Sequence, residues 1–457
     1  MKRLFFDISD VVGYARKTSR VSGMQRVQAR LVALVAEQAG AERAHCVFSR
    51  SRRAAVYECP ASGLFADPDF CAGRLLATLG LRSPSAPYEH ECRQYLQRWA
   101  ARSPARLLQS WRLGWLAARH PEQLATLGFT VPDPSSIRPV KTKAIRRIAP
   151  ADSLVLLGST WAQPSIRSLA QRTFRGGGDV VTLIHDVLPL THPEFFTRGN
   201  ARRFAAFLRE SPRFTSRYLC TSDYTREHLG RALAAAGAVI NVSCLPLAHE
   251  FSGFPRNDRP AQASCPEAEA ISRKPFVLCV GTIEVRKNGA NLLRAWLRVL
   301  DTLGDQAPQL VFAGRRGWKI DAFDGVLAEN PRLASAITIF EGASDADLAF
   351  LYGRCLFTVF VSLAEGWGLP VGESAWFGRH CVASRAASIP EVCGDLLEYV
   401  APDDVEAMAR ALIRSITDAE YRESRERLIR NAPLRTWAAV AADLLAILGE
   451  PACRLPS

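Results

Sequence analysis

From residue 276 to 384 the chain alternates short apolar, β-branched runs with stretches whose apolar residues recur at three- and four-residue spacing, which leaves few folds open. Strands are expected at 276–281, 309–314, 336–340, 356–361 and 380–384, with helices at 288–300, 345–352 and 370–377. Such alternation builds a parallel sheet that binds ligands at the carboxyl ends of its strands. The chain opens in the same way. A strand at 4–8 leads to a loop with Ser22 and Gly23 and to a helical stripe of Val27, Leu31, Leu34 and Val35, and further strands are expected at 154–157, 180–184, 218–221 and 242–245. A length of 457 residues exceeds what one core usually supports, so the fold class read here is α/β with two doubly wound domains facing a cleft.

The divisions follow composition. Residues 1–255 form the first domain, with an irregular insertion rich in Pro and Arg at about 60–150. A stretch of Pro, Ala, Ser and charged residues without periodicity at 256–275 reads as a linker, 276–432 as the second domain, and 433–457 as a C-terminal helix and tail. The amphipathic segment 436–448, with Trp437, is expected to dock across both domains.

The most specific segment runs from Glu365 to Glu373. It sets two carboxylates eight positions apart around a glycine-rich turn, Gly366, Trp367, Gly368 and Leu369, that follows a buried strand and opens a helix at Pro370. Amides at such a helix start point outward with the positive end of the helix dipole behind them, so the turn suits a phosphate. Glu373, in the first helical turn, is placed to accept hydrogen bonds from neighbouring ribose hydroxyls.

Two further strand ends add cations. Arg286, Lys287 and Asn288 follow the strand that ends at Gly281, and Gly314, Arg315, Arg316, Gly317 and Trp318 follow the next. Cations held there would stabilise the charge that develops on a departing diphosphate. In the first half, His185 and Asp186 follow one strand and Thr221, Ser222, Asp223 and Tyr224 another, so His185 either faces the cleft or serves a structural role. Asp345 and Asp347 match a metal-holding D-x-D only superficially. Ser344 precedes them at a helix start, where Ser and Asp are expected as caps, and no metal and no cofactor is implied.

Lys plus Arg number 58 against 45 for Asp plus Glu, a net +13 that favours anionic partners without choosing among them. The twelve cysteines are scattered singly, with no C-x-x-C pair, as expected for reduced thiols in a cytoplasmic protein. No run approaches the ~20 apolar residues of a spanning helix, so membrane contact is expected to be peripheral. The insertion offers one candidate, a basic stripe at 106–119 with Trp111 and Trp115, beside Lys141, Lys143, Arg146 and Arg147. Such a stripe suits a membrane interface or packing against its own domain.

Taken together these residues resemble glycosyltransferase family 4, retaining nucleotide-sugar transferases of the GT-B fold with two Rossmann-like domains. The likeness is strongest from Phe276 to Asp395, through Gly281, Arg286 to Asn288, Gly314 to Trp318, Glu365 to Glu373 and Ser388 to Gly394, and weaker through Ser22 to Val27, His185, Asp186, Pro189, Ser222, Thr225 and Arg226. The resemblance implies that Glu373 holds the ribose, that Arg286 and Lys287 hold the diphosphate, and that Glu365 with the amides of Gly366 to Leu369 holds the donor sugar and its phosphate. It implies that His185 and Gly23 approach from the opposing domain, with Gly314 and Arg315 completing the donor side. Trp367 stands where the family more often has Phe, Val361 where Pro is common, and residues 60–150 have no counterpart, which leaves the acceptor open.

The expectation is a cytoplasmic, metal-independent transferase, with peripheral contact at the inner face of the membrane as one option. It would move a sugar, mannose among the candidates, from a nucleotide diphosphate to a glycan or lipid-linked glycan in cell-surface polysaccharide or lipopolysaccharide synthesis, with no nucleic-acid partner. The alternatives are a GT-B sugar phosphorylase or epimerase sharing the cleft, and a catalytically silent protein binding glycan or nucleic acid there.

Overall fold

A computed structural model describes residues 2–18, 23–50, 55–65, 70–81, 137–238 and 241–449. Two sheets organise them, as the alternation requires. The first has eight strands: β1 (Leu4–Asp7), β2 (Ala44–Ser49), β3 (Val56–Pro60), β4 (Lys143–Ile145), β5 (Ser153–Leu156), β6 (Asp179–Ile184), β7 (Arg217–Cys220) and β8 (Val242–Cys244), in the order β4-β3-β2-β1-β5-β6-β7-β8. The second is all parallel: β9 (Phe276–Val280), β10 (Gln309–Ala313), β11 (Ile337–Phe340), β12 (Thr358–Phe360), β13 (Cys381–Ser384) and β14 (Glu398–Val400), in the order β11-β10-β9-β12-β13-β14.

Each order reverses direction at one place. In the first sheet that place lies between β1 and β5, in the second between β9 and β12. Loops that leave neighbouring strands for opposite faces part there, and the crevice they open is where ligands of such sheets bind. The helices that cover the second sheet are amphipathic. Helix Gly289–Leu303 buries Leu292, Leu293, Trp296 and Val299, one stripe at helical spacing, in a cluster shared with Met408 and Leu412 of helix Val405–Thr417. At about 25 cal/mol per Å² of apolar surface, such stripes supply much of what holds each layer.

Four strands escaped the sequence reading, β2, β3, β4 and β14. β2 and β3 pair antiparallel, with Cys46 opposite Cys59, and β4 adds a short antiparallel edge whose Lys143 and Ala144 are exposed. An edge strand needs no continuous apolar run, so its sequence signal is weak. β4 and the helix Ala72–Thr78, whose Leu75 and Leu76 are buried, belong to the segment read as an irregular insertion, and β3 ends where it begins. Lys141, Arg146 and Arg147 are exposed beside β4, whereas the tryptophan stripe at 106–119 lies outside the described residues. The stretch expected as an unstructured linker contains helix Pro266–Ile271, whose Ala268 and Ile271 pack with Phe276 and Phe350 in the second domain's core.

The C-terminal helix, Trp437–Gly449, returns to the first domain. It packs on helix Gly23–Ala39, Trp437 donates its indole N–H to the Glu250 carbonyl at 2.9 Å, and Gln38 donates to the Ala438 carbonyl at 3.0 Å. Among the described residues the cysteines are free thiols, and no helix is long and apolar enough to cross a membrane.

Candidate functional site between the two sheets

The switch point of the second sheet is built by two loops laced together. Asn288 takes a left-handed conformation (φ 59°), which Asn tolerates better than most residues, and ends the short turn Val285–Lys287 after β9. Its side-chain amide donates to the Val361 carbonyl at 3.0 Å, and the Leu363 N–H donates to the Arg286 carbonyl at 2.8 Å. The turn after β9 is thereby fixed to the segment after β12. Gly314 lets the neighbouring strand ends close, because a Cβ there would lie 1.9 Å from the Gly281 carbonyl oxygen.

That lacing brings both predicted cations onto Glu365. Lys287 Nζ lies 2.6 Å from Glu365 Oε1, Arg286 pairs with the other carboxylate oxygen, and Lys287 also sits over the Phe360 ring at 4.6 Å. Burial would raise the Glu365 carboxyl, but Arg286 and then Lys287 outweigh it and hold it at about 2. Two further carboxylates share these charges. Glu284, 4% exposed, accepts from Arg286 at 2.7 Å, and burial raises both Glu284 and Asp186 against the pull of Arg286. Glu284 lies in the same loop, but its role depends on burial that no local pattern discloses. Arg286 is largely consumed by these partners, whereas Lys287 keeps donors to spare, since an ammonium carries three.

The turn between the two glutamates behaves as its glycines require. Gly368 has φ +117°, a conformation side chains rarely adopt, and caps the helix Leu369–Trp376, which begins one residue earlier than expected. Pro370 has no N–H and the Val371 N–H donates to the Gly368 carbonyl at 3.0 Å, so Leu369 supplies the first N–H at this helix end. Ser388 donates its hydroxyl to the Glu365 carbonyl at 2.8 Å. The Trp367 side chain is buried among Phe360, Val371 and Ile389, so its indole belongs to the core and only its backbone belongs to the turn.

The first domain meets this turn directly. A Cβ on Gly366 would fall 2.2 Å from the His185 carbonyl oxygen and 2.6 Å from Asp186 Cβ, so only glycine permits the approach. The Thr221 hydroxyl bridges the His185 carbonyl at 2.8 Å and the Gly366 carbonyl at 2.9 Å. His185 itself points inward, its Nε2–H donating to the Leu157 carbonyl at 2.8 Å, which leaves Nδ1 the acceptor nitrogen of the neutral ring. Burial lowers its pKa. Gly23, at the start of its helix, faces Leu369, whose Cδ1 would lie 3.3 Å from a Cβ there. Two helix N-termini thus converge on the cleft.

Other contacts fasten the domains around it. Glu391 accepts the amides of Asp223 and Tyr224 at 2.6 and 2.8 Å, capping a first-domain helix from the second domain. Trp318 donates to the Phe195 carbonyl at 2.9 Å, and exposed Arg315 reaches the Tyr14 hydroxyl at 3.0 Å. The D-x-D pair is accounted for by the helix start. Ser344 and Asp347 form a reciprocal capping box, and Asp345 pairs with Arg26 of the first domain at 2.6 Å. Among the described residues no cluster of three or more His, Cys, Asp or Glu is arranged for a metal.

Residues 264–435 match the family model described as glycosyl transferases group 1. The chain is 30% identical over 244 residues to the O-antigen chain mannosyltransferase B of Escherichia coli, covering 53% of this chain and 62% of that protein. It is 26% identical over 302 residues to a GDP-mannose-dependent α-(1-6)-phosphatidylinositol dimannoside mannosyltransferase of Mycobacterium tuberculosis, covering 63% and 72%. The chain thus spans less than two thirds of the first of these, and 34% of the E. coli serotype-specific mannosyltransferase WbdA. Among solved structures, Anabaena HepE with UDP and glucose superposes over 99% of this chain and 100% of its own with a TM-score of 0.56 at 14% identity, a likeness of fold. The domain that carries Arg286, Lys287, Glu365 and Glu373 is a glycosyl transferases group 1 domain, and the chain has the two-domain GT-B fold.

Proposed function

We propose that the protein is a retaining glycosyltransferase that moves mannose from a nucleoside diphosphate sugar to a glycan acceptor in cell-surface polysaccharide or lipopolysaccharide synthesis. The observation that carries this reading is the Arg286–Glu365–Lys287 cluster at the second sheet's switch point, closed over by His185 and Gly23 of the first domain. Glu373 takes the ribose, Lys287 and the open helix N-terminus at Leu369 take the diphosphate, and Glu365 is positioned for the sugar. Mannose is proposed because relatives matched over 53% and 63% of this chain are named for transfer of that sugar.

In the reaction the acceptor oxygen forms its bond to the anomeric carbon on the face from which the diphosphate leaves. The anomeric carbon–phosphate oxygen bond breaks, and the acceptor proton passes to the departing phosphate. The protein supplies position, closure and charge: Lys287 and the helix dipole meet the negative charge as it develops. The reading is metal-independent because cations and amides can take the diphosphate charge, while Asp345 and Asp347 are committed to Arg26 and the helix cap. The acceptor is proposed to be lipid-linked, reached at the inner face of the membrane through the exposed Lys141, Lys143, Arg146 and Arg147.

The test is thermal unfolding with GDP, UDP or ADP, since a ligand at about a hundred times its Kd adds roughly 2.7 kcal/mol of stability. A rise with GDP that disappears in Glu373→Ala is expected. No rise with any of the three refutes the transferase reading.

A further inference from the structure

Arg26 belongs to the first domain yet ends inside the second. It lies one turn into the helix Gly23–Ala39, and its guanidinium spans two carboxylates of the opposite domain, Glu373 Oε1 at 3.2 Å and Asp345 Oδ1 at 2.6 Å. Glu373 is 6% exposed, and its second oxygen accepts from the buried Tyr352 hydroxyl at 3.1 Å. Both donors rest on one aromatic platform. Arg26 stacks over the Phe251 ring at 5.3 Å, Phe251 packs edge-on to Tyr352 at 6.0 Å, and Tyr352 stacks on Phe377 at 5.2 Å.

A carboxylate offers about four acceptor sites. Arg26 and Tyr352 take one on each oxygen, which fixes the plane of the group and leaves one site on each oxygen, the pattern that matches two adjacent hydroxyls. Tyr352 belongs to the same domain as Glu373 and holds it whether the domains are open or closed. Arg26 can hold it only when they are closed. Without the arginine, Glu373 would be a buried carboxylate lacking its cation, with a preference for the protonated form that burial already favours.

We infer that Arg26 is a positioning residue that orients Glu373 for the ribose diol and thereby ties recognition of the nucleoside to domain closure. The inference rests on the assignment of Glu373 to the ribose. Closure and ribose binding then stabilise each other, because each completes the same three-part arrangement of guanidinium, carboxylate and diol.

Calorimetric titration of the full chain with GDP and with 2′,3′-dideoxy-GDP, which lacks the diol, separates this role from a merely structural one. Arg26→Ala is expected to weaken GDP about tenfold, within the usual range of coupling between sites, and to leave dideoxy-GDP unchanged. Arg26→Gln keeps the stem over Phe251 and is expected to reproduce the loss if the alanine variant folds poorly. In the Glu373→Ala background the Arg26 substitution is expected to add nothing for GDP. Equal GDP binding by wild type and Arg26→Ala, or an equal loss for both nucleotides, overturns the role of Arg26 and leaves the transferase reading standing. Wild type that binds none of GDP, UDP and ADP overturns both; wild type that binds UDP or ADP instead moves the same comparison to that nucleotide and its dideoxy form.

Discussion

Gly366→Ala perturbs closure where the two domains meet. The new methyl would lie 2.2 Å from the His185 carbonyl oxygen and 2.6 Å from Asp186 Cβ, and the first of these is backbone that cannot rotate away. A tolerated contact begins at 3.0–3.4 Å, so the gap must widen by 3.0 − 2.2 = 0.8 Å to 3.4 − 2.2 = 1.2 Å. The bond from the Thr221 hydroxyl to the Gly366 carbonyl, at 2.9 Å, would stretch by a similar amount and fail, while its 2.8 Å bond to the His185 carbonyl lies within the first domain and stays. A misplacement of about 1 Å between reacting groups can cost ~10²-fold in rate. Turnover is therefore expected to fall about a hundredfold, while the melting temperature falls only modestly because Gly366 contributes no side chain to the apolar clusters that span the domains. Nucleotide affinity, measured by calorimetry beside the steady-state assay, is expected to fall far less, since Lys287 and Glu373 stay in their own domain. A Gly366→Ala protein that keeps wild-type turnover refutes the argument that this contact sets the reactive closure.

Lys287→Ala is expected to lower kcat ~10²–10³-fold with a much smaller change in donor Kd, because its donors are spent on charge that develops in the transition state; full turnover in a steady-state assay would remove it from the reaction. Asp347→Ala breaks the Ser344 capping box and its 2.7 Å bond from Ser264, at a cost of ~0.5–2 kcal/mol read as a lower melting temperature. Wild type and Asp347→Ala should both turn over undiminished in EDTA, and an EDTA loss restored by Mg²⁺ or Mn²⁺ would show that the reaction needs a cation.

The lacing of the domains also gives the cleft a defined charge balance. Arg286 and Lys287 face Glu365, Glu284 and Asp186, so the cluster carries as many carboxylates as cations or more before any substrate enters. A diphosphate would be met by Lys287 and two converging helix N-termini rather than by a bare cationic pocket. In such a site Glu365 fixes Lys287 in place, because breaking one arm of a buried ion pair leaves an uncompensated charge.

The sequence alone determined the parallel strands at the centre of both sheets and the identity of the residues at their ends, because these follow from local periodicity and helix-start chemistry. Strands from β9 to β13 were legible to within about two residues, and the glycine-rich turn was legible as the opening of a helix. Strand β3 and the edge strand β4 were not legible, because partly exposed strands lack an apolar run, and the helix Pro266–Ile271 was hidden in a stretch too short to show a period.

Only the tertiary structure decided which charges meet. Arg286 and Lys287 read as free cations for a phosphate, and folding gave them Glu365 and Glu284. Trp367 read as part of a binding turn, and its indole went to the core. Arg26 and Glu373 are separated by 347 positions and joined at 3.2 Å. Pairing of that kind depends on how the two domains pack against each other, and the physical forces that set it, burial and Coulomb attraction at close range, act through space and leave no periodic trace along the chain.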